Sequence, residues 1–441
     1  MKTLSILLLS TILLLFNSKV YATENGLFQK LYQDSESLHE SPRKSVLVKA
    51  IRDSLPKNHS SEMFKSKLEA MQFSPFASYR ALPSLFYQDL KENIKSLPAH
   101  YLSKDLICAI SGDLHVQNLG WISRKGKPVF DLNDFDESVY AYASFDLIRF
   151  LVSIELFLEE KEIEFKVERD DIEAAKVSFL TEYMAQIHSK KLKEVPLKKK
   201  KFFRKWEKKI NKKKSEDALE EWTVKTRSGL HFNFENPELE MLDSLLKNQI
   251  SQSYQDKEYK VLDVASRLGA GLGSLGSKRY YLLAANQEES FLLDIKEQSK
   301  ASVLEKFPQD QLIQKLNQGL SAAKLNVKMQ AFSYSGPSPH YQVFKLNSSE
   351  FLIKQRSAFK KSLKAKNLKS MDDFLSYLKV SAHRIAYFHR NSLASCQNEW
   401  NKFAKAWKLA LEASTIEVLL GLSSQMAEQT KTDWKLLNEV K

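Results

Sequence analysis

Two short segments carry carboxylates and a carboxamide at a spacing that suits phosphoryl-group chemistry. The first is Gly112-Asp113-Leu114-His115-Val116-Gln117-Asn118, and the second is Asp131-Leu132-Asn133-Asp134-Phe135-Asp136. In an Asp-x-x-x-x-Asn loop, the Asp faces a substrate hydroxyl while the Asn turns back toward a metal ion, and a later Asp completes the oxygen shell of that metal. The spacing therefore predicts a loop that serves phosphoryl transfer.

The alternative is an ordinary turn, because Asp and Asn side chains bond their own backbone in loops. The neighbouring residues favour the catalytic loop. Residues 106–110 predict a buried strand that runs into the loop, and residues 119–132 predict a hairpin after it. Strand, loop, hairpin and Asp-Phe in this order are typical of a kinase C-lobe. Asp146 begins an apolar helical stretch, where it is predicted to cap the helix and to hold the loop from behind.

A glycine motif, G-x-G-x-x-G, lies much later in the chain at 271–276. It separates two predicted strands, at 261–268 and 278–285. A dinucleotide-binding fold needs a helix after the last glycine, whereas the glycine flap of a kinase needs a strand. The motif therefore favours a flap that covers phosphate groups.

The next predicted strand, at 291–296, ends in Lys296, the place where a kinase carries the lysine that reaches the α and β phosphates. A helical pattern begins directly after it at Ser302-Val303-Leu304-Glu305. Glu305 is either the partner of Lys296 or the acidic member of a capping box with Ser302. The capping box is the favoured interpretation.

These elements predict an α+β fold with two kinase-like lobes in permuted order. Helical C-lobe elements with the catalytic loop come first, at 23–255, and include a basic segment at 190–214. A five-stranded antiparallel N-lobe follows at 256–362, and the helices of 363–441 return to the C-lobe. The permutation is compatible with function, because a nucleotide between two lobes needs only that each lobe presents its groups to the cleft.

Residues 1–22 have the pattern of a signal peptide. Lys2 precedes an apolar stretch at 4–16, and Val20-Tyr21-Ala22 supplies small residues before a cut near Ala22. The apolar stretch is too short to cross a bilayer comfortably. The mature chain is therefore expected to be periplasmic or secreted. With 441 residues, 43% of them hydrophobic, it is long enough for a sizeable core in two lobes.

The formal net charge of +13 is concentrated in one place. Segment 190–214 holds fourteen Lys and Arg residues and two Glu, so the rest of the chain is nearly neutral and no specific nucleic-acid surface is predicted. Phe202, Phe203, Trp206 and Ile210 recur there at helical spacing. The segment is either a helix that docks on an anionic membrane surface or, as we favour, a solvated helix whose aromatic residues pack on the domain.

The two cysteines, Cys108 and Cys396, exclude a disulfide framework and leave one bridge as the alternative to two free thiols. Cys108 lies in an apolar predicted strand. Because free cysteine is commonly buried, the two-thiol alternative is favoured.

Several separate blocks, taken together, resemble the bacterial proteins of domain of unknown function 2252. This family looks like the aminoglycoside and choline phosphotransferase branch of the kinase-like fold, and the resemblance covers most of the mature chain. The blocks that carry it are Ser74-Pro75-Phe76-Ala77-Ser78-Tyr79-Arg80, Gly112-Asp113-Leu114-His115 with Asn118, Phe130-Asp131-Leu132-Asn133-Asp134-Phe135-Asp136-Glu137, Phe145-Asp146-Leu147, the glycine motif at 271–276, and Ile295-Lys296-Glu297.

The resemblance implies a role for individual residues. Asp113 would be the catalytic base or hydroxyl positioner, and Asn118 and Asp134 would bind Mg²⁺ with help from Asp136. The phosphates of ATP would bind Lys296 and the flap residues Gly271, Gly273, Ser274 and Gly276. The resemblance gives no role to Arg80 or His115.

The favoured function is an exported phosphotransferase that uses ATP and Mg²⁺ on an unidentified hydroxyl of a small molecule or protein. A nucleotidyl transferase on the same fold is one alternative. Another is a catalytically inactive kinase-like binding module at the cell envelope, held there by segment 190–214. A third is a metal-dependent hydrolase built on His115, Asp131 and Asp134, which lacks a second ligating His at suitable spacing.

Overall fold

A computed structural model of the chain shows an α+β protein. The residues that it describes are 42–56, 59–124, 127–192, 196–197, 200–210, 219–227, 229–256, 258–268, 276–357, 360–411 and 413–439. The predicted signal peptide at 1–22 lies outside these residues.

The strands form one large antiparallel sheet and three smaller ones. In chain order they are β1 (Ile107–Ile110), β2 (Leu119–Arg124), β3 (Lys127–Leu132), β4 (Val139–Tyr142), β5 (Thr223–Thr226), β6 (Gly229–Phe232), β7 (Leu239–Met241), β8 (Lys260–Arg267), β9 (Arg279–Ala285), β10 (Ser290–Gln298), β11 (Gln342–Leu346), β12 (Ser349–Gln355) and β13 (Lys360–Ser362). The smaller sheets are β1 with β4, β5 with β6, and β13-β2-β3.

The helices lie before, between and after these strands. In chain order they are α1 (Pro42–Asp53), α2 (Ser61–Gln72), α3 (Pro75–Ala81), α4 (Pro83–Asn93), α5 (Ala143–Leu158), α6 (Arg169–Ile187), α7 (Lys201–Ile210), α8 (Ser244–Ser253), α9 (Ser302–Lys306), α10 (Gln311–Asn317), α11 (Ala322–Gln330), α12 (Met371–Asn391), α13 (Trp400–Ala410) and α14 (Ala413–Asn438). Within the described part of the chain, no helix combines the length and the apolar character that a membrane span requires.

The large sheet has the strand order β11-β12-β10-β9-β8-β7. The sequence predicted five of these strands, and the structure adds β7, which pairs with β8 at one edge. Only one of the three residues of β7 is buried, so the strand has no apolar alternation that would reveal it. Its existence depends on pairing with β8 rather than on its own sequence.

The two faces of the large sheet differ in character, as the period of two along a strand requires. On β10, Leu293 and Ile295 belong to an apolar cluster with residues of β9, β12 and α8. The alternate residues, Asp294 and Lys296, are on the opposite face. Strand register places Asp294 beside Lys354 of β12, so this face carries charges. Charges on a buried sheet face predict a site or an ion-pair network.

The main core lies among the helices and is built around α5. All sixteen residues of α5 are buried, and most of them are apolar, as expected for a helix inside the core. Helices α9, α10 and α11, which come between β10 and β11 in the chain, also contribute to this core through residues such as Val303, Ile313 and Met329. The large sheet is therefore tied to the helical core by its own connecting segment.

Helix α7 in the basic segment packs its aromatic side chains onto the domain. Phe203 and Trp206 are buried and make edge-to-face contacts with Trp121 and Phe130 of the β2–β3 hairpin. The lysines of α7 remain exposed. This arrangement confirms the packing interpretation for the aromatic residues, because their apolar face is already covered.

Both cysteines are free and buried. Burial raises the pKa of the Cys108 thiol well above its ordinary value, and it also raises the pKa of Cys396. A raised thiol pKa disfavours the thiolate that disulfide chemistry needs. The favoured two-thiol alternative is confirmed.

Candidate active site

The loop after β1 begins with a glycine that no other residue could replace without strain. Gly112 has a φ of +75°, and a Cβ at this position would lie 2.0 Å from the backbone oxygen of Glu137. Tyr87 donates a hydrogen bond of 2.6 Å from its hydroxyl to the Gly112 carbonyl oxygen. The close backbone approach and the left-handed φ together fix the direction in which the loop leaves the strand.

Asp146 at the start of α5 holds this loop from behind. Its Oδ2 accepts a hydrogen bond from the Ser111 N–H (2.7 Å), and its Oδ1 accepts one from the Gly112 N–H (3.0 Å). Nε2 of His389 on α12 lies 3.2 Å from the same carboxylate, and Nδ1 of His389 lies 2.8 Å from the Tyr183 hydroxyl. The predicted role of Asp146 as the loop holder is confirmed, whereas its predicted role as the helix cap is wrong, because the N-cap of α5 is Tyr142.

Asp113 follows directly and has one oxygen neutralised and the other available. Arg149, which is fully buried on α5, donates from Nε to Oδ1 over 2.9 Å and also from Nη2. Burial raises the pKa of Asp113 to about 6, against the opposing charge of Arg149. The side chain is 21% exposed, so Oδ2 is the atom that faces the space beyond the loop.

His115 lies beside that free oxygen. Nδ1 of His115 accepts a hydrogen bond of 3.1 Å from the Gln117 N–H, so a neutral ring carries its proton on Nε2. Nε2 is 3.9 Å from Asp113 Oδ2, which is too far for a direct hydrogen bond. Burial, followed by the charges of Arg80 and Arg149, lowers the pKa of His115 well below its ordinary value. The ring is therefore a neutral N–H donor next to the carboxylate.

Asn118 and Asp134 meet near this loop. The Asn118 amide nitrogen donates to the backbone oxygen of Asp113, which leaves its Oδ1 as the atom able to bind a cation. Asp134 is half-buried and faces the cavities between the loop and the sheet. No described residue donates a hydrogen bond to the Asp134 carboxylate or forms an ion pair with it. One carboxylate and one amide oxygen fit Mg²⁺, which keeps several waters or phosphate oxygens in its shell.

Lys296 of β10 reaches across to Asp136, although the two residues are 160 positions apart in the chain. Asp136 also accepts hydrogen bonds from Asn326 Nδ2 (2.9 Å) and, at longer range, from Gln298 Nε2 (3.4 Å). Burial acts to raise the pKa of Asp136, but the charge of Lys296 holds it below its ordinary value. Both oxygens are thus committed to protein donors in this arrangement. In this arrangement Asp136 orients Lys296, and its predicted role beside the metal stays a prediction.

The predicted capping box at Ser302 is wrong. The N-cap of α9 is Ala301, which has no side-chain cap, so Ser302 is already inside the helix. The Ser302 N–H instead donates 2.6 Å to Oε2 of Glu137, in the segment that follows Asp136. Glu305 forms no described ion pair with Lys296 either. Glu137 thereby joins α9 to the segment that follows β3.

The glycine motif is only partly within the described residues. Gly271, Gly273 and Ser274 lie outside them. Gly276 has a φ of +92°, and a Cβ there would meet the Pro56 ring at 2.6 Å. The chain continues from Gly276 into strand β9, which confirms the expectation of a strand in place of a helix after the motif.

Two adjoining cavities share the residues singled out above. Asp113, Asp134, Asp136 and Lys296 line both a cavity of about 940 Å³ and one of about 580 Å³. Both volumes lie in the range of small-molecule sites. Gly276 lines the larger cavity, and Asn118 lines the smaller one. The structure therefore brings the carboxylates and Lys296 together as a common wall.

The cavities differ in charge outside that wall. Among the described residues, the smaller cavity is lined by eight further Lys and Arg side chains and by two acidic ones, Asp294 and Glu221. Counted in the same way, the larger cavity is lined by four further Lys and four further Asp or Glu side chains. We call them the basic cavity and the mixed cavity. A ligand with several negative charges fits the basic cavity better.

The residues of the hydrolase alternative do not come together as ligands. Asp131 is fully buried, and its Oδ2 accepts a hydrogen bond of 2.6 Å from the Ser335 N–H. The carboxylate within 4 Å of His115 Nε2 in the described chain is that of Asp113. In the described ranges of the chain, no group of three or more His, Cys, Asp or Glu side chains is arranged to hold a metal ion.

Three residues that matter to this geometry were missed from the sequence. Arg149, Gln298 and Asn326 hold Asp113 and Asp136 in place. A signal for Arg149 was present, because α5 is mostly apolar and a buried charge needs a partner. Gln298 and Asn326 had no such signal, since polar residues at strand ends and on short helices are common.

Comparisons with known proteins locate the chain in a family without adding a function. Searches of curated proteins and of solved structures each found no match. A family model described as "Uncharacterized protein conserved in bacteria (DUF2252)" matches residues 59–440, which is most of the chain. The chain belongs to the DUF2252 family.

Proposed function

We propose that this protein is a phosphotransferase that moves the γ-phosphoryl group of ATP to a hydroxyl acceptor. The observation that carries the proposal is the shared wall of the two cavities. There an ammonium from the large sheet, Lys296, meets the carboxylates of the Asp113 loop and of the segment after β3. Phosphoryl transfer needs little beyond such positioning and charge stabilisation.

The order of elements around Lys296 supports a permuted kinase-like arrangement. Strand β8, the glycine motif, β9 and β10 follow one another, and Lys296 lies near the end of β10. Helices α9 to α11 come next, and β11 and β12 close the sheet. In kinases the glycine-rich loop covers the phosphates and the lysine of the third strand binds them. The Asp113 loop precedes all these elements in the chain, which is the permutation that we propose.

In this proposal the triphosphate binds in the basic cavity and the acceptor binds in the mixed cavity. The surplus of Lys and Arg side chains around the basic cavity favours the more highly charged ligand. Outside the shared wall, the mixed cavity is lined by equal numbers of described acidic and basic side chains, which suit a polar acceptor without a strong net charge. Asp113 lines both cavities and so faces the boundary where the two ligands would meet.

The residues then have distinct tasks. Oδ2 of Asp113 orients the acceptor hydroxyl and takes its proton, and a pKa of about 6 leaves it largely ionised at neutral pH. Lys296, oriented by Asp136, binds phosphate oxygens. Asn118 and Asp134 would hold Mg²⁺, which when bound neutralises phosphate charge. Arg149 keeps Asp113 in place and does not face the ligands, because it is fully buried.

Asp113 and Asp134 provide the test, because the proposal assigns them to different steps. We expect the full chain to bind ATP in the presence of Mg²⁺, measured by calorimetry. Asp134→Asn should weaken Mg²⁺-dependent ATP binding by on the order of tenfold or more. Asp113→Asn should bind ATP like the wild type but lose transfer, measured as release of label from γ-labelled ATP in pools of small hydroxyl compounds and proteins.

A matched control is Asp53→Asn at the mixed cavity, which the proposal gives no part in catalysis. If both Asp113→Asn and Asp134→Asn transfer the phosphoryl group at the full wild-type rate, the proposal that the protein is a phosphotransferase is refuted. ATP labelled at the α-phosphate separates the alternatives, because transfer of that label would indicate a nucleotidyl transferase. Binding of ATP with no transfer of either label would favour a binding module.

A further inference from the structure

Arg80, at the end of α3, has a guanidinium without a counterion. Its CZ atom lies 5.6 Å from the centre of the Phe76 ring, and its Nε is buried without a hydrogen-bond partner among the described residues. Nor does any described carboxylate lie within ion-pair distance of it. Desolvating an unpaired charge is costly, so a buried guanidinium without an ion pair is stabilised when an anion binds to it.

Two other arginines near the cavities are already paired with carboxylates. Arg279 forms a two-point pair with Asp294, at 2.7 and 2.6 Å. Arg149 is paired with Asp113. Among the described residues, this leaves half-buried Arg80 and Arg124 as the guanidinium groups at the basic cavity whose buried Nε has no partner and can bind an external anion.

The position of Arg80 specifies which anion this is. Arg80 lines the basic cavity together with Asp113, His115 and Asp134. The Phe76 ring beneath it also meets the His115 ring edge-on, with 5.8 Å between centroids. Burial lowers the pKa of Arg80, and the charges of Asp113, Glu160 and Asp134 act in the opposite direction. The guanidinium is therefore close to both the acceptor side and the metal side of the proposed reaction.

We propose that Arg80 binds the phosphoryl group while it is being transferred, which makes Arg80 a catalytic residue. This rests on the function proposed above. The acceptor oxygen forms a bond to the γ-phosphorus as the bond from phosphorus to the bridging oxygen breaks. The bonding pair leaves with ADP, and the hydroxyl proton goes to Asp113. N–H groups of Arg80 donate to the phosphoryl oxygens, as arginines do in other phosphoryl-transfer sites.

The experiment compares a transition-state mimic with a ground-state mimic on the full chain. The probes are ADP with aluminium fluoride and Mg²⁺, and a non-hydrolysable ATP analogue with Mg²⁺, both measured by calorimetry. Arg80→Ala should weaken binding of the transition-state mimic by about 10²- to 10³-fold. Binding of the ATP analogue should change by less than about threefold, which is under 1 kcal/mol.

Arg124→Ala is the matched control. Arg124 also lines the basic cavity and has a buried Nε without a partner, but Asp113 and Asp134 are not among the charges that act on it. It should change the binding of both probes by the same factor. Arg80→Lys, which keeps the charge but not the fork of donors, should recover part of the lost preference. It replaces Arg80→Ala if that variant does not fold.

The outcomes separate the two proposals. Equal weakening of both probes by Arg80→Ala would overturn the catalytic role and leave Arg80 as an ATP-binding residue. An Arg80→Ala variant that keeps the wild-type preference for the transition-state mimic over the ATP analogue would also overturn the catalytic role. So would a wild type that binds the ATP analogue but does not prefer the transition-state mimic. In both cases the proposed function stands. A wild type that binds neither probe would overturn both.

Discussion

Lys67 provides a quantitative test of the helical core, because its ammonium is buried without a partner. The side chain lies on α2 with no exposed surface, and its Nζ has no hydrogen-bond partner among the described residues. Burial lowers the pKa of Lys67 from the ordinary 10.5 to about 8. At neutral pH the folded protein therefore buries a charged ammonium group, whereas the unfolded chain leaves that group in water.

The size of the effect follows from this difference in proton affinity. Each tenfold difference is worth about 1.4 kcal/mol, so the fall from 10.5 to about 8 costs the folded state about 3 kcal/mol at pH 7. Between these two values the unfolded chain binds more protons than the folded protein, so the free energy of unfolding rises with pH. Lys67→Met removes the cost. It should raise the free energy of unfolding by about 2–3 kcal/mol at pH 7, and the gain should vanish as pH approaches 10.5.

Urea unfolding followed by circular dichroism, from about pH 6.5 to about pH 10, measures this gain as the difference between variant and wild type. Other titrating groups cancel in the difference. Lys65→Met, two residues earlier on α2 with a side chain that is 40% exposed, is the control and should stay within about 0.5 kcal/mol at every pH. A Lys67→Met gain that does not change with pH would refute the reasoning.

Three further substitutions test the loop and the basic helix. In Asp146→Asn, the amide NH₂ faces one of the Ser111 and Gly112 N–H groups, so one donor faces another donor. The substitution should lower the free energy of unfolding by about 3 kcal/mol and speed amide hydrogen exchange at Ser111 and Gly112, measured by mass spectrometry. Unchanged exchange would contradict the holding role of Asp146. Gly112→Ala should lower the melting temperature far more than Gly319→Ala. Both glycines have a positive φ, but of the two only Gly112 has a backbone oxygen that an added Cβ would clash with. Equal losses of melting temperature would show that φ alone matters. Phe203→Ala should cost about 3–5 kcal/mol and Lys205→Ala almost nothing, measured by urea unfolding, and the reverse order would mean that α7 does not pack as described.

The sequence was sufficient for features that local patterns determine. The strand before the Asp113 loop, the β2–β3 hairpin and the strand after Gly276 all follow from short apolar runs and the turn residues that bound them. The role of Asp146 could also be predicted, because a buried acid at a helix start must find N–H donors. These predictions needed no knowledge of distant contacts.

Features that depend on distant contacts could not be predicted. Asp136 was expected near a metal, but its oxygens are taken by Lys296 and Asn326, which come from segments far along the chain. The Ser302 capping box failed for a related reason, since Glu137 accepts the Ser302 N–H from another part of the fold. Local sequence offers a residue several partners, and tertiary packing selects one.

The placement of charges on α5 explains how the candidate site is fixed although its parts are scattered along the chain. Asp146 and Arg149 are three residues apart, so they share a face of the same rigid helix. Asp146 holds the backbone before Asp113, and Arg149 holds the carboxylate of Asp113 itself. These contacts from the helical core fix the position of Asp113 without contacts from the large sheet. The sheet must only bring Lys296 to Asp136. Its position in the chain order does not matter for this, provided that α9 to α11 connect it to the core. A permuted chain order is therefore physically compatible with a preorganised site.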